Sequence, residues 1–271
     1  MLDVRGLSNS LVRPPLRLGL YLALWLCSCA YAAPLIDYTV VARYAHPNQS
    51  FTEGFELHGD TVYESSGQYG RSYIARWQLK GSQIDSWQPL PTAMFGEGLT
   101  VLGERIYVLT WRERKALIFD KDSLQQIGQF DFAGEGWGLT NDGHHLITSN
   151  GSDTLRFIDP ITQKIISEIE VTDAGKSVTQ LNELEWIPAH DKQPARILAN
   201  IWQTDTIVAI DPRSGTVTAK LDMRKLYPSG QRSPSADVLN GIAFDARDNT
   251  LLLTGKIWPF VYRVKLAEPL R

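Results

Sequence analysis

The sequence predicts an all-β fold, a five-bladed β-propeller whose N-terminal strand closes the last blade. Three observations carry this prediction. Short runs rich in Val, Ile, Leu and Tyr recur along the chain, Gly, Asp and Asn separate them, and one pattern of such runs repeats five times. Short strands with regular turns are typical of all-β folds, and a repeat of about four strands every 40 to 60 residues is typical of propeller blades. A β-sandwich with irregular extra strands is the alternative.

Residues 1–33 have the pattern of a secretory signal peptide. Three Arg precede a short apolar run at 18–26, and the tripeptide Ala-Tyr-Ala at 30–32 supplies the small residues of a cleavage site. The apolar run is short for a membrane span, although a retained N-terminal anchor is the alternative. We therefore expect a single mature domain over residues 34–271 that is periplasmic or secreted and has no membrane attachment after cleavage.

Removal of residues 1–33 changes the charge and the cysteine count. Both cysteines, Cys27 and Cys29, lie in this segment, so the mature domain would have no disulfide, no thiol nucleophile and no thiolate metal ligand. The segment carries three Arg and one Asp, so the formal net charge changes from −3 for the whole chain to −5. This acidic balance provides no global basic field, and we expect no nucleic-acid partner.

The repeats define the blades in chain order. Each begins with a polar or aromatic residue, continues with a short apolar strand, a turn and a second strand, and adds a third strand and often a fourth. The five repeats begin at Phe51, Phe95, Gly134, Leu181 and Leu239. The last repeat has only three strands, whereas an alternating segment at 38–44 precedes the first repeat. We expect that segment to supply the missing fourth strand.

The repeat also predicts where a functional site lies. The first strand of a propeller blade lies nearest the axis, so its entry and the exit of the second strand reach one end of the axial funnel. The entries carry Glu53, Glu97, Trp137, Asn182 and Asn240. The exits carry Glu64, Trp111, Trp202, Gln203, Lys256 and Trp258. Singly, such residues are usually packing, capping or solvated groups, but together they predict an aromatic-walled pocket for a small polar group that carries a cation.

Other motifs for catalysis or metal binding are absent from the sequence. The five His, at positions 46, 58, 144, 145 and 190, show no zinc-site spacing, and there is no nucleophile elbow or phosphate-binding loop. We expect no cofactor and no metal, with a Ca²⁺ ion held by Glu and Asn oxygens in the funnel as the alternative.

Eight motifs in order resemble the plant- and bacterial-type glutaminyl cyclases. They span residues 51 to 259 and read FTEGF, YESSGQYGRS, FGEGLT, EGWGLT, LNELE, NIWQTD, VLNGIAFD and TGKIWP. The resemblance implies a five-bladed propeller that converts N-terminal glutaminyl residues of peptides or proteins to pyroglutamyl with release of ammonia, and that needs no zinc. We expect such an enzyme to act as a monomer.

The resemblance also implies roles for individual residues. It assigns the general acid and base to Glu64, and the pocket to Trp111, Asn182, Trp202, Gln203 and Lys256. One carboxylate can serve both steps, because the attacking amine loses a proton and the leaving nitrogen gains one. Burial or a neighbouring carboxylate such as Glu97 would raise the pKa of Glu64 for this purpose. Relatives often have Gln where this chain has Glu53, so we assign no amide-donor role to this position.

Two other functions fit the same sequence features. A Ca²⁺-dependent lactone hydrolase would use a metal in the funnel of a similar propeller. A non-catalytic periplasmic module would bind peptides in the same pocket but release no ammonia.

Overall fold

The computed structural model describes residues 31–47, 50–81, 83–190 and 193–270, together with Leu2. The predicted signal peptide lies outside these residues, apart from Leu2 and residues 31–33. Within the described ranges, no helix is long and apolar enough to cross a membrane.

The described strands form five four-stranded antiparallel sheets, which are the five predicted blades. The strand that precedes them is β1 (Tyr38–Ala45). Blade one contains β2 (Thr52–His58), β3 (Thr61–Ser66), β4 (Tyr73–Gln78) and β5 (Ile84–Pro89). Blade two contains β6 (Gly96–Leu102), β7 (Arg105–Thr110), β8 (Lys115–Asp120) and β9 (Gln126–Asp131). Blade three contains β10 (Leu139–Asn141), β11 (Leu146–Thr148), β12 (Thr154–Ile158) and β13 (Ile165–Glu170).

The remaining strands complete the ring. A small hairpin of β14 (Thr172–Asp173) and β15 (Lys176–Ser177) follows blade three. Blade four contains β16 (Leu181–Ile187), β17 (Arg196–Ile201), β18 (Thr206–Ile210) and β19 (Val217–Asp222). A 3₁₀ turn at Ser229–Gln231 leads to blade five, which contains β20 (Leu239–Asp245), β21 (Thr250–Gly255) and β22 (Phe260–Leu266).

The N-terminal strand closes the ring as predicted. Strand β1 pairs antiparallel with β22 from Tyr38 opposite Leu266 to Ala45 opposite Phe260, and it becomes the outermost strand of blade five. The first and last strands of the propeller thus share one sheet. The shared sheet closes the ring. It does so without a disulfide in the predicted mature domain, since both cysteines lie within residues 1–33.

Apolar side chains fill the interfaces between blades. One cluster joins Phe55, Val62 and Trp77 of blade one to Leu252 and Val261 of blade five. Burial of each large apolar side chain contributes roughly 1.5–3 kcal/mol, so such clusters are the main source of stability.

Glycines let the first strands approach one another at the axis. A Cβ atom on Gly98 would lie 2.4 Å from the backbone nitrogen of Leu139, and one on Gly138 would lie 1.9 Å from the carbonyl oxygen of Asn182. Any larger residue at these two positions would push neighbouring blades apart. The first strands thus pack closely around the axis, and they begin at the funnel mouth.

Candidate active site

A pocket of about 240 Å³ lies at the funnel mouth, where the first strands of the blades begin. Aromatic rings, three carboxyl groups, an amide and an ammonium line it. The lining residues are Phe51, Glu53, Phe95, Glu97, Trp111, Trp137, Asn182, Trp202, Asp237 and Lys256.

Bulges in the first strands aim polar side chains into this region. Strand pairing shifts register between Thr52 and Gly54 in blade one, which places Glu53 in the irregularity. Equivalent shifts in blades two, four and five place Glu97, Asn182 and Asn240 in the same way. A bulge leaves a residue without its ladder partner and redirects its side chain, so the repeated irregularity gathers polar groups at the axis.

The polar centre of the pocket is a carboxyl pair beside one cation. The Nζ atom of Lys256 donates to Oε1 of Glu53 at 2.6 Å, and it lies 4.6 Å from the ring centroid of Phe51. Glu97 is the second carboxyl group, and only 6% of its surface is exposed. The ammonium of Lys256 therefore forms its ion pair with Glu53 and not with Glu97.

This arrangement favours the protonated form of Glu97. Burial raises the pKa of Glu97 well above its ordinary value, and the charge of Glu53 raises it further, while Lys256 offsets only part of the effect. A hydrogen bond to Glu53 also favours the neutral acid. Burial raises the pKa of Glu53 as well, but its ion pair with Lys256 opposes that shift. These effects favour an acid at Glu97 next to the ion pair between Glu53 and Lys256, and Asp237 adds a third carboxyl group to the lining.

Aromatic rings form the walls around this polar centre. The rings of Phe95 and Trp111 lie edge to face with centroids 5.6 Å apart. Trp137 and Trp202 form a second such pair, with centroids 5.4 Å apart. Because aromatic walls exclude water and lower the local dielectric, they strengthen the electrostatic effects of the charged groups between them.

The structure brings seven of the predicted site residues into the pocket lining. These are Glu53, Glu97, Trp111, Trp137, Asn182, Trp202 and Lys256. Phe51, Phe95 and Asp237 also line the pocket but were not predicted. The two phenylalanines precede Glu53 and Glu97 by two residues, so the shared Phe-x-Glu pattern at the start of repeats one and two was a usable signal.

Three other predicted residues lie outside the lining. Asn240 is buried beside it, and its Nδ2 donates to the carbonyl oxygen of Thr52 at 2.9 Å. Trp258 is fully buried in blade five, where its Nε1 donates to the carbonyl oxygen of Asp237. Gln203 is exposed in a turn with a φ of 62°. Asn240 and Trp258 therefore hydrogen-bond to the backbone at or next to the lining residues, whereas Gln203 does not line the pocket.

The predicted placement of Glu64 at the funnel is wrong. Its side chain is 0% exposed and contributes no atom to the pocket lining. Its Oε1 accepts hydrogen bonds from Nε2 of His46 at 2.9 Å and Oγ1 of Thr52 at 2.8 Å, and its Oε2 accepts one from Nε1 of Trp77 at 3.1 Å. Glu64 is thus enclosed by three donors inside the protein and lies outside the pocket lining.

Comparisons with known proteins show which family the sequence and the fold resemble. The sequence profile of the family described as glutamine cyclotransferase matches residues 20–266. A glutaminyl-peptide cyclotransferase of Arabidopsis thaliana is 37% identical over 235 residues, which cover 84% of this chain and 71% of that relative. The crystal structure of Myxococcus xanthus glutaminyl cyclase superposes with a TM-score of 0.77 at 30% identity, covering 86% of this chain and 98% of that one.

Proposed function

The chain belongs to the glutamine cyclotransferase family, and from this premise we propose that it cyclises N-terminal glutaminyl residues of peptides with Glu97 as general acid and base and without zinc. Family membership makes the chain an enzyme of the glutaminyl cyclase type and displaces the lactone hydrolase and the non-catalytic binding module. The observation that carries the role of Glu97 is its buried carboxyl group in the wall of the pocket, where burial raises its pKa well above the ordinary value.

The reaction needs one proton to move from one nitrogen to another. The neutral α-amine attacks the carbon of its own side-chain carboxamide, and a C–N bond forms. Glu97 begins as an acid, so it donates its proton to the departing nitrogen as the old C–N bond breaks and ammonia leaves. The resulting carboxylate then takes a proton from the new ring nitrogen, which restores the acid. Both reacting groups belong to one residue, so little orientational entropy remains to be lost.

The charge that develops on the carboxamide oxygen needs a donor. Asn182 lines the pocket and presents an amide, and Lys256 has N–H groups beyond the one that it gives to Glu53. We assign both residues to the oxyanion. Removal of one such donor typically lowers the rate by ~10²–10³. Glu53 has a different task, because its negative charge holds the proton on Glu97 and the ammonium of Lys256 in place.

Ammonia release from a glutaminyl dipeptide tests the proposed reaction. We expect the purified enzyme to release one ammonia for each pyroglutamyl product, both followed in the same sample. The matched control is the same dipeptide with an acetylated α-amine, which cannot attack its own side chain. Binding of the free dipeptide without ammonia release would contradict the proposal, and release from the acetylated control would indicate simple amide hydrolysis.

Chelators are expected to leave the activity unchanged. In the described part of the chain no group of three or more His, Cys, Asp or Glu could hold a metal ion, and the proton chemistry assigned to Glu97 needs none. We expect that dialysis against EDTA or 1,10-phenanthroline retains the full rate. Loss of activity that added zinc restores, with the melting temperature unchanged, would overturn this part of the proposal.

We also propose that the protein is exported and acts as a monomer in the periplasm or outside the cell. The basic segment, apolar run and small residues within 1–33 support export. N-terminal sequencing of the protein recovered from the periplasm or medium is expected to begin near residue 34, and size-exclusion chromatography is expected to give one chain. Recovery of the intact N-terminus in the membrane fraction would indicate an anchor instead.

A further inference from the structure

One carboxylate joins two of the aromatic walls of the pocket. Glu135 lies in the loop between β9 and β10, and its Oε2 accepts hydrogen bonds from Nε1 of Trp111 at 2.8 Å and Nε1 of Trp137 at 3.1 Å. Trp111 follows the second strand of blade two, whereas Trp137 precedes the first strand of blade three. The shared acceptor therefore fixes the planes of two rings that come from different blades.

The other oxygen of Glu135 is tied to an arginine that covers one of the rings. Nε of Arg112 lies 3.4 Å from Oε1 of Glu135, and its guanidinium carbon lies 3.8 Å from the ring centroid of Trp111. The outer face of Trp111 is thus covered by a cation held by the same carboxylate. Trp137 in turn packs edge to face on Trp202 of blade four, so the effect of Glu135 extends to a third wall.

The charge of Glu135 suits this task although the group is 41% exposed. Burial raises the pKa of Glu135, but the hydrogen bonds from Trp137 and Trp111 and the charge of Arg112 outweigh it, and the pKa is lowered. A carboxylate accepts two hydrogen bonds on one oxygen more strongly than a neutral amide does. Glu135 therefore accepts the hydrogen bonds from Trp111 and Trp137 as a carboxylate at neutral pH.

We propose that Glu135 is a positioning residue for glutaminyl substrates, which sets the planes of Trp111 and Trp137 and so the shape in which the substrate folds back. The proposal rests on the proposed function, since the folded-back glutaminyl residue is what the walls must fit. Glu135 touches no reacting atom and is absent from the pocket lining. Its contacts with the pocket pass through the two indoles, and its charge also helps to raise the pKa of Glu97.

Steady-state kinetics of three variants test this role. We expect Glu135→Ala to raise KM for a glutaminyl dipeptide about tenfold with a smaller change in kcat, because it removes charge-assisted hydrogen bonds from both walls. Glu135→Gln retains one carbonyl acceptor and should recover part of the loss. Glu104→Gln is the matched control, because Glu104 pairs with Lys121 in an exposed hairpin outside the pocket. A merely structural effect would lower the apparent kcat through loss of folded enzyme and leave KM unchanged.

Indole ¹H–¹⁵N spectra detect the clamp, by which we mean the two hydrogen bonds from Trp111 and Trp137 to Glu135. They require no turnover of substrate. We expect the Nε1–H signals of Trp111 and Trp137 to move in Glu135→Ala, with assignments from Trp111→Phe and Trp137→Phe. The signals of Trp77 and Trp258 serve as internal controls, because these indoles donate to Glu64 and to the carbonyl of Asp237. Unmoved signals, or moved signals with unchanged KM, would overturn the positioning role. Failure of the wild-type enzyme to release ammonia would instead contradict the proposed function, and the spectra would still decide whether the clamp exists.

Discussion

Replacement of Glu97 by glutamine is expected to lower kcat/KM by about 10²–10⁴-fold while the fold remains intact. The substitution keeps the shape of the side chain and removes only the proton that it exchanges. In the proposed mechanism Glu97 begins as the acid, and in that form it acts as a hydrogen-bond donor toward Glu53. A glutamine amide supplies a donor in the same place, so the ion pair between Glu53 and Lys256 needs no rearrangement.

Two measurements separate loss of chemistry from loss of structure. The melting temperature of Glu97→Gln should stay within a few degrees of wild type, and the variant should still bind a non-cyclising analogue of the dipeptide. Glu104→Gln in the same blade controls for the substitution itself, because its carboxylate is exposed and paired only with Lys121. Near-normal ammonia release by Glu97→Gln would remove Glu97 from the mechanism.

The pH profile provides an independent check on the same group. Burial raises the pKa of Glu97 and the charge of Glu53 adds to this, so the acid form persists above the range of an ordinary glutamate. In the proposed mechanism the acid form is the active one. We therefore expect kcat/KM to fall as pH rises through the raised pKa of Glu97, and we expect Glu97→Gln to lose this alkaline limb. A profile with the limb unchanged in the variant would assign it to another group.

The fold could be predicted because its signal is repeated. Five copies of one strand pattern reduce the ambiguity of any single copy. The closure could be predicted because the last repeat has only three strands and the N-terminal segment supplies one unassigned strand. The approximate position of the pocket followed from the same repeat, since all the first strands begin near the axis. What the repeat could not provide was the register within each blade.

The misplacement of Glu64 is an error of three residues in that register. In blade one Thr52 pairs with Ser66, just as Gly96 pairs with Thr110 in blade two. The position after Ser66 therefore corresponds to Trp111, and in blade one it is occupied by Gly67, whereas Glu64 lies inside β3. The end of a strand is hard to locate from sequence, because Ser65 and Ser66 resemble turn residues but are paired in the sheet. The electrostatic roles of Glu53 and Glu97 were inaccessible for another reason, since they depend on which carboxyl group lies next to Lys256.

Replacement of Glu64 by glutamine is expected to destabilise the protein rather than stop its chemistry. Nε2 of His46 donates to Glu64, and its Nδ1 donates to the carbonyl oxygen of Trp258 at 3.0 Å. A carbonyl oxygen and a carboxyl group thus face the two ring nitrogens, and this arrangement favours the protonated imidazole. Burial lowers the pKa of His46, but the charge and hydrogen bond of Glu64 outweigh it, and the pKa is raised.

This buried ion pair lies at the junction that closes the ring. His46 directly follows β1, Trp258 belongs to blade five, and Glu64 belongs to blade one. Removing one partner of a buried ion pair typically costs about 3–5 kcal/mol. In a domain of this size that corresponds to a melting temperature lower by about 10 °C. Well below that temperature, Glu64→Gln should cyclise a glutaminyl dipeptide with a kcat/KM close to wild type.

The stability of the closure should also depend on pH, with a sign that the ion pair fixes. Because the folded-state pKa of His46 is raised above its unfolded value, its contribution is fully present below the unfolded pKa and is lost as pH rises through the folded pKa. The difference in melting temperature between wild type and Glu64→Gln should therefore be largest in mildly acidic buffer, where the His46–Glu64 pair is ionised, and should shrink in alkaline buffer. A difference that grows with pH would contradict the ionised pair, and a fully stable variant without turnover would return Glu64 to the catalytic site.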